Sequence, residues 1–146
     1  MSASDQLENG LGLLIFNNTA LALIGDAAGL QPSAAAGSLY VSLHTGDPGE
    51  AGTQLTNECA YTSYARVAVA RSGAGWTVAA ANISNAAAVT FPKATGGSET
   101  ATHFGIGTAS SGAGKLLLSG ALTSSLAISV NIQPSFAIGE LDTDIS

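Results

Sequence analysis

Apolar residues in the first 24 positions recur at spacings of three, four and seven. This spacing places side chains on one face of a helix, so it predicts an amphipathic helix from Ser4 to about Ile24. The predicted stripe consists of Leu7, Leu11, Leu14, Ile15, Leu21 and Ala22. Ser4 suits the cap position because its hydroxyl can accept a hydrogen bond from the first turn. We therefore assign residues 1–28 to an N-terminal helical segment.

Residues 29–38 have the composition of a linker. Pro32 and Gly37 both interrupt regular structure there. From residue 39 the pattern alternates with a period of two, as in "SLYVSLHT", which is typical of a strand with one buried face. Here Leu39, Val41 and Leu43 alternate with Tyr40, Ser42 and His44.

Further short strands are predicted along the rest of the chain, separated by turns rich in glycine and serine. They lie in "YARVAVAR", "WTVAAANIS", "AAVTFPKA", "THFGIGTA", "KLLLSGAL" and "LAISVNIQPSFAIG". Turn signals at such regular spacing favour antiparallel sheets over a parallel sheet, which needs helices between its strands. The predicted fold is mainly β, an antiparallel β-sandwich or barrel-like body of about seven short strands in residues 39–146, preceded by the amphipathic helix.

The chain has few charges, and this limits its partners. Only 10% of the 146 residues are charged, and ten acidic against four basic side chains give a net charge of −6. Binding to nucleic acid needs a clustered basic patch, whereas the basic residues here are scattered at Arg66, Arg71, Lys93 and Lys115. No stretch is apolar enough to predict a membrane span. A surface with so little charge is suited to burial against copies of the chain or other proteins.

His44 is followed closely by acidic side chains in "HTGDPGE", which raises the question of a catalytic or metal site. Asp47, Pro48 and Gly49 are themselves the residues of a tight turn, so the motif is explained without chemistry. A metal shared by His44 and His103 would lack a third ligand at a recognisable spacing. We therefore interpret this stretch as a strand that runs into a surface loop.

Other catalytic motifs fail on inspection. "GIGTASSGAGK" lacks the first glycine and the final serine or threonine of a phosphate-binding loop. Cys59, the only cysteine, is followed by no activating base and is preceded by Glu58, whose charge would raise the pKa of a thiol. Trp76 follows a turn and is expected to fill the core, although an exposed tryptophan at this position could anchor an interface. The sequence thus indicates a non-enzymatic protein with no cofactor and no metal.

Three stretches in order resemble a family of tailed-bacteriophage virion proteins with the signature "LYVSLHTADPGEAG", often labelled phage tail fibre protein. They are "LYVSLHTGDPGEAGT", "TNECAYTSYARVAVAR" with "GWTV", and "AAAVTFPKATGGSETATHFGIGTASSGAGKLLLSGAL". Gly46 replaces the alanine of that signature. The pattern of "THFGI", a glycine loop and "LLLSGAL" is also similar to head decoration and head fibre proteins.

The resemblance implies a virion structural protein made in the cytoplasm of the bacterial host. We expect a capsid decoration, or cement, protein that binds the lattice of the major capsid protein as a homotrimer and stabilises the assembled head. A tail fibre or tail-associated protein that takes part in host attachment is the alternative; the lack of heptads or fibrous repeats favours the capsid surface over the tail. A carbohydrate-binding β-sandwich module, with Tyr40, Tyr61, Tyr64 or Trp76 as stacking surface, is a second alternative.

A set of apolar and aromatic side chains is expected to form the contacts with neighbouring subunits. In this hypothesis the helix or the linker docks on the capsid lattice. The set comprises Leu7, Leu11, Leu14, Ile15, Tyr40, Tyr64 and Trp76.

Overall fold

The computed structural model describes residues 2–145. Within them the chain forms one helix and nine strands: α1 (Asp5–Phe16), β1 (Ser38–His44), β2 (Val67–Ala70), β3 (Trp76–Ala79), β4 (Asn82–Asn85), β5 (Val89–Thr90), β6 (Glu99–Gly107), β7 (Leu116–Ile128), β8 (Ser135–Phe136) and β9 (Asp142–Asp144). The strands form antiparallel sheets, and the sheets of the described residues do not close into a barrel. The mainly β fold with a leading helix is therefore confirmed. Residues 2–145 contain no helix of the length and apolarity needed to cross a membrane.

Contacts divide the chain into two compact units. Unit 1 contains residues up to 38, residues 69–88 and residues from 137 onward. Unit 2 contains residues 39–68 and 89–136.

Helix α1 begins where the sequence predicts but ends earlier. The Ser4 hydroxyl accepts a hydrogen bond from the Leu7 amide at 3.4 Å, which caps the first turn. The helix continues through two glycines and ends at Phe16. Asn18 then adopts a left-handed conformation with φ of 52°, which breaks the helical path. The predicted continuation to Ile24 is therefore wrong; Leu21 instead forms an isolated β-bridge with Leu30 and closes a loop.

In unit 1, Gly12 lies where α1 packs on the three-stranded sheet of order β3-β4-β9. A side chain at Gly12 would meet the Val78 and Ile83 side chains. Phe16 contacts Trp76 edge to face with ring centroids 5.2 Å apart, and both rings are buried. The stretch "WTVAAANIS", predicted as one strand, is the hairpin of β3 and β4, because Ala80 turns the chain with φ of 56°.

The larger sheet has the strand order β2-β1-β6-β7. In unit 2, β1 pairs with β6 in the register that places Tyr40 opposite Gly107 and His44 opposite His103. The expected half-burial of β1 is wrong, because both Leu43 and His44 are buried. The aromatic rings of unit 2 contact one another in a chain that runs through Tyr61, Tyr64, Phe91, Phe136 and Phe104.

Strand β7 joins two stretches that the sequence separates. "KLLLSGAL" and the beginning of "LAISVNIQPSFAIG" form one strand of 13 residues. It pairs with β6 and lies at the edge of the sheet. The remainder of the second stretch contributes the two-residue strand β8, which pairs with β5.

Candidate interaction surfaces and the loop of residues 45–58

His44 fixes the loop of residues 45–58 to the sheet in unit 2. Its Nδ1 lies 2.8 Å from the Thr56 carbonyl oxygen, and its Nε2 lies 2.8 Å from the Ser42 hydroxyl. A carbonyl only accepts, so Nδ1 carries the proton and Nε2 of the neutral ring accepts from Ser42. Burial lowers the pKa of His44, and the Thr56 hydrogen bond offsets part of that effect. The ring is a neutral structural bridge with both nitrogens in use.

Gln54 is a second polar anchor of this loop. Its side chain is fully buried, accepts from the Ala109 amide at 2.9 Å and donates to the Tyr40 carbonyl at 3.3 Å. Gly107 and Gly114 leave the space for it, since a Cβ at either position would come within about 2.2 Å of the glutamine side chain. Sequence reasoning missed Gln54 because its partners are distant along the chain, although a lone glutamine among glycines is a usable signal.

A buried ion pair lies at the end of the same loop. Arg66 donates from Nε to Glu58 Oε1 at 2.6 Å and from Nη2 to Oε2 at 2.8 Å. Tyr64 donates its hydroxyl hydrogen to Glu58 Oε1 at 2.9 Å and accepts from the Leu43 amide at 3.1 Å. The hydrogen bond to Glu58 raises the pKa of Arg66, and burial raises the pKa of Tyr64. These groups hold the loop in place.

The acidic stretch after His44 forms a turn, as predicted. Asp47 accepts from the Gly49 amide at 2.8 Å, and Gly49 has φ of 68°, a conformation that glycine adopts without strain. Asn57 donates to the Asp47 carbonyl at 2.9 Å and closes the loop across its base. Asp47 therefore serves the turn.

His44 and His103 are paired across β1 and β6, which is the arrangement that a shared metal ion would need. His103 uses Nδ1 for a contact of 2.9 Å with the Thr102 hydroxyl, and both nitrogens of His44 are occupied. Residues 2–145 hold no group of three histidine, cysteine, aspartate or glutamate side chains arranged for a metal. His103 instead lines a shallow groove of about 580 Å³ beside β7, together with Asp47, Gly49, Glu50 and residues 116–121.

The predicted interface residues occupy different environments. Leu7 is 41% exposed, whereas Leu11, Leu14, Ile15, Tyr40 and Tyr64 are half-buried. Trp76 is fully buried in the core of unit 1, as its sequence context favours. It is therefore left out of the proposed interface. Tyr61 is also buried, and the Tyr64 hydroxyl is occupied, which removes much of the aromatic surface that a carbohydrate-binding module would need.

Unit 1 also exposes large apolar residues that the sequence pattern assigns elsewhere. Leu23 is 82% exposed and Ile24 is 44% exposed at the tip of the loop closed by Leu21 and Leu30. A side chain at Gly10 would overlap the Leu21 side chain, so this loop packs directly on α1. We call Leu7, Leu23, Ile24 and Leu30 the N-terminal apolar surface; Leu30 is 43% exposed.

The buried polar groups described above hold loops, and several large apolar side chains are exposed. The model of the family Gp80, described as podophage GP4 fiber I protein gp80, matches residues 2–144. The chain therefore belongs to this family of phage virion structural proteins. No curated protein matches the chain. The virion class implied by the sequence resemblance is confirmed, while membership of the particular "LYVSLHTADPGEAG" family stays a prediction.

Proposed function

We propose that the chain is a non-enzymatic structural subunit of a virion fibre, and that its N-terminal apolar surface attaches it to a neighbouring virion protein. The family match over residues 2–144 supports a fibre component. Within unit 2, the engagement of His44, Glu58 and Arg66 in structural hydrogen bonds supports a role without catalysis.

The exposure and the backbone conformation of Leu23 are the main support for the attachment site. Its side chain is 82% exposed, and its backbone is left-handed with φ of 66°. A leucine in this conformation costs about 1–2 kcal/mol, and exposing it to water offers no compensating burial within the chain. Strained residues of this kind concentrate at functional sites, where a partner benefits from the fixed geometry. The loop thus presents Leu23 and Ile24 for insertion into an apolar depression of a partner.

Helix α1 extends the same surface. Successive helical residues are about 100° apart, so Gly12 and Phe16, which pack on the sheet, lie nearly opposite to Leu7 and Leu14, whereas Leu11 lies to the side, about 100° from Gly12. Leu7 and Leu14 are therefore turned away from the sheet of unit 1. The partial exposure of all three leucines supports their predicted role as contacts.

Capsid decoration by a homotrimer, the first expectation from the sequence, is kept as a second candidate. Its specific support is the shortness of the elements: in the described residues the helix has 12 residues and the longest strand has 13. Such elements do not build an extended shaft by themselves. A decoration protein would use the same N-terminal apolar surface against the major capsid protein.

A binding assay with particles that lack this protein tests the attachment site. The double variant Leu23→Asn, Ile24→Ser removes both apolar tips, and asparagine tolerates the left-handed backbone better than leucine. We expect co-sedimentation with particles to fall at least tenfold for this variant. Leu55→Asn is the matched control, because Leu55 is 54% exposed in unit 2. Equal binding of the double variant and the unmodified chain would contradict the proposed site.

A further inference from the structure

The groove of unit 2 runs along the outer edge of β7. Strand β7 is the last in the sheet order β2-β1-β6-β7, and residues 118–121 pair regularly with residues 103–106 of β6 on their inner side. Successive residues of a strand point to opposite faces, so a groove that all of residues 116–121 line follows the strand edge. The turn after β1, with Asp47 and Glu50, lines the groove as well.

The edge beside this groove is open for pairing. An isolated bridge joins Thr53 to Lys115 and ends just before the groove begins. Within residues 2–145, no segment pairs with the outer side of residues 118–121. Alternate residues of a strand direct their N–H and C=O groups to the same side, so two of these four residues present both groups outward. Such an edge is complementary to an added strand.

One face of the edge carries small and polar side chains. Ser119 and Ala121 share the face of His103, because residues directly opposite in antiparallel strands point to the same side. The pairing is irregular between Ile106 and Gly107, and Leu116 lies over this same face. Its Cδ1 would be 2.8 Å from a Cβ at Gly105, the residue opposite Ser119. Side chains of an added strand therefore find room on this face beside Ser119 and Ala121.

The other face of the same edge is apolar. Leu118 lies opposite the buried Ile106, and Gly120 lies opposite the buried Phe104. A Cβ at Gly120 would come within 2.8 Å of the Phe104 ring, so the ring covers the glycine. An added strand would thus meet Leu118 with the side chains of one face and the groove with those of the other.

The groove is acidic, which selects the kind of strand that fits. Asp47 and Glu50 are exposed and line it, whereas no lysine or arginine does. Asp47 accepts from the Gly49 amide through Oδ1, and neither carboxylate forms an ion pair within residues 2–145. Cationic side chains at alternate positions of an added strand would complement this charge. None of the nine described strands contains lysine or arginine, so strands of a second copy lack the matching charge.

We propose that the groove beside β7 is a second attachment surface, which binds an extended segment of another virion protein as an added strand. In this segment, lysine or arginine residues face Asp47 and Glu50 and alternate with apolar residues that face Leu118. Backbone pairing with residues 118–121 fixes the segment, and the carboxylates select it by charge. The surface lies in unit 2 and does not depend on the N-terminal apolar surface, so either proposal can fail without the other.

Fluorescence anisotropy with labelled pentapeptides tests the proposal on the full chain. Acetyl-Val-Lys-Val-Lys-Val-amide has the predicted alternation, and its counterpart has glutamate in place of lysine. We expect the lysine peptide to bind about tenfold more tightly than the glutamate peptide at low ionic strength. The lysine peptide with every amide nitrogen methylated keeps its charges but cannot donate to the strand edge. It should bind about tenfold more weakly than the unmethylated peptide.

Charge variants locate the binding site. Asp47→Asn, Glu50→Gln removes both carboxylates and keeps the side-chain oxygen that accepts from the Gly49 amide. It should abolish the preference for the lysine peptide, whereas the matched control Asp5→Asn, Glu8→Gln in α1 should retain it. The proposal is overturned if the lysine peptide does not bind, if the methylated peptide binds equally well, or if the groove variant keeps the preference. Self-association of the unmodified chain that is lost in the groove variant would place a second copy in the groove and overturn it as well.

Discussion

Arg66 and Glu58 form a two-point ion pair in unit 2, with distances of 2.6 Å for Nε to Oε1 and 2.8 Å for Nη2 to Oε2. The arginine side chain is only 2% exposed. Its remaining donors reach the carbonyls of Ala109 at 2.9 Å and Gly112 at 2.7 Å. One guanidinium therefore holds the loop of residues 45–58 and the glycine-rich loop before β7.

Glu58→Gln should be strongly destabilising. It leaves the buried guanidinium without a counter-charge, and breaking one side of a buried pair costs about 3–5 kcal/mol. Denaturant unfolding of the variant and the unmodified chain measures this difference. Glu50→Gln removes a charge at an exposed position and serves as control. A loss below about 1 kcal/mol, the range of surface pairs, would show that Glu58 does not hold these loops.

His44 should make the stability depend on pH between about 7 and 5. Burial lowers its pKa in the folded chain, so below the ordinary value of about 6.5 the unfolded chain binds more protons than the folded one. The free energy of unfolding then falls as the pH decreases, by up to about 1.4 kcal/mol per pH unit from this group. His44→Gln should flatten this part of the profile in denaturant titrations at several pH values. Parallel profiles for the two proteins would show that His44 is not the group responsible.

Cys59 should be unreactive in the folded chain. The thiol is 2% exposed, and burial, with smaller effects of Glu99 and Glu58, raises its pKa to about 12. Because the thiolate is the reactive form, an aromatic disulfide reagent at pH 8 should label Cys59 only after denaturation. Fast labelling under native conditions would place the thiol at an accessible surface instead. Cys59→Ser should leave assembly with other copies or virion proteins unchanged, since the thiol is buried within its own chain.

Leu23→Asn alone should preserve or raise stability. Relief of the left-handed leucine backbone is worth about 1 kcal/mol, and an 82% exposed side chain gives up little burial. Thermal unfolding of the variant should therefore occur at the same temperature as that of the unmodified chain, or a few degrees higher. A clear decrease would mean that Leu23 packs within its own chain and is not displayed for a partner.

Elements whose residues contact near neighbours in sequence could be predicted well. Ser4 caps the helix, and Asp47 forms the turn with Gly49, because both depend on bonds two or three residues away. The prediction for Leu21 is wrong because its spacing continues the helical stripe, whereas the helix ends at Phe16 and Asn18 turns the chain away. In β7, the glycine and serines between the two predicted strands are typical of an interruption, yet one strand runs through them, and the irregularity is confined to its pairing, where residues 122–125 have no partner in β6.

The polar anchors could not be predicted, because their partners are distant in the chain. Gln54 bonds to Ala109, and Arg66 bonds to Gly112. No periodicity encodes these contacts, and each is made possible by space left at glycines or by loop carbonyls. The exposure of Leu23 could not be predicted either, because the fold of its loop, and not a pattern in the sequence, turns the side chain outward.

Cryo-electron microscopy of purified particles tests the central claim most directly. Our account predicts density for this domain at the virion fibres, with the loop of Leu23 and Ile24 inserted into an apolar surface of the protein to which the fibre is attached. Density over the capsid lattice alone would contradict the fibre assignment in favour of a decoration protein. Particles without this domain would contradict a virion role altogether.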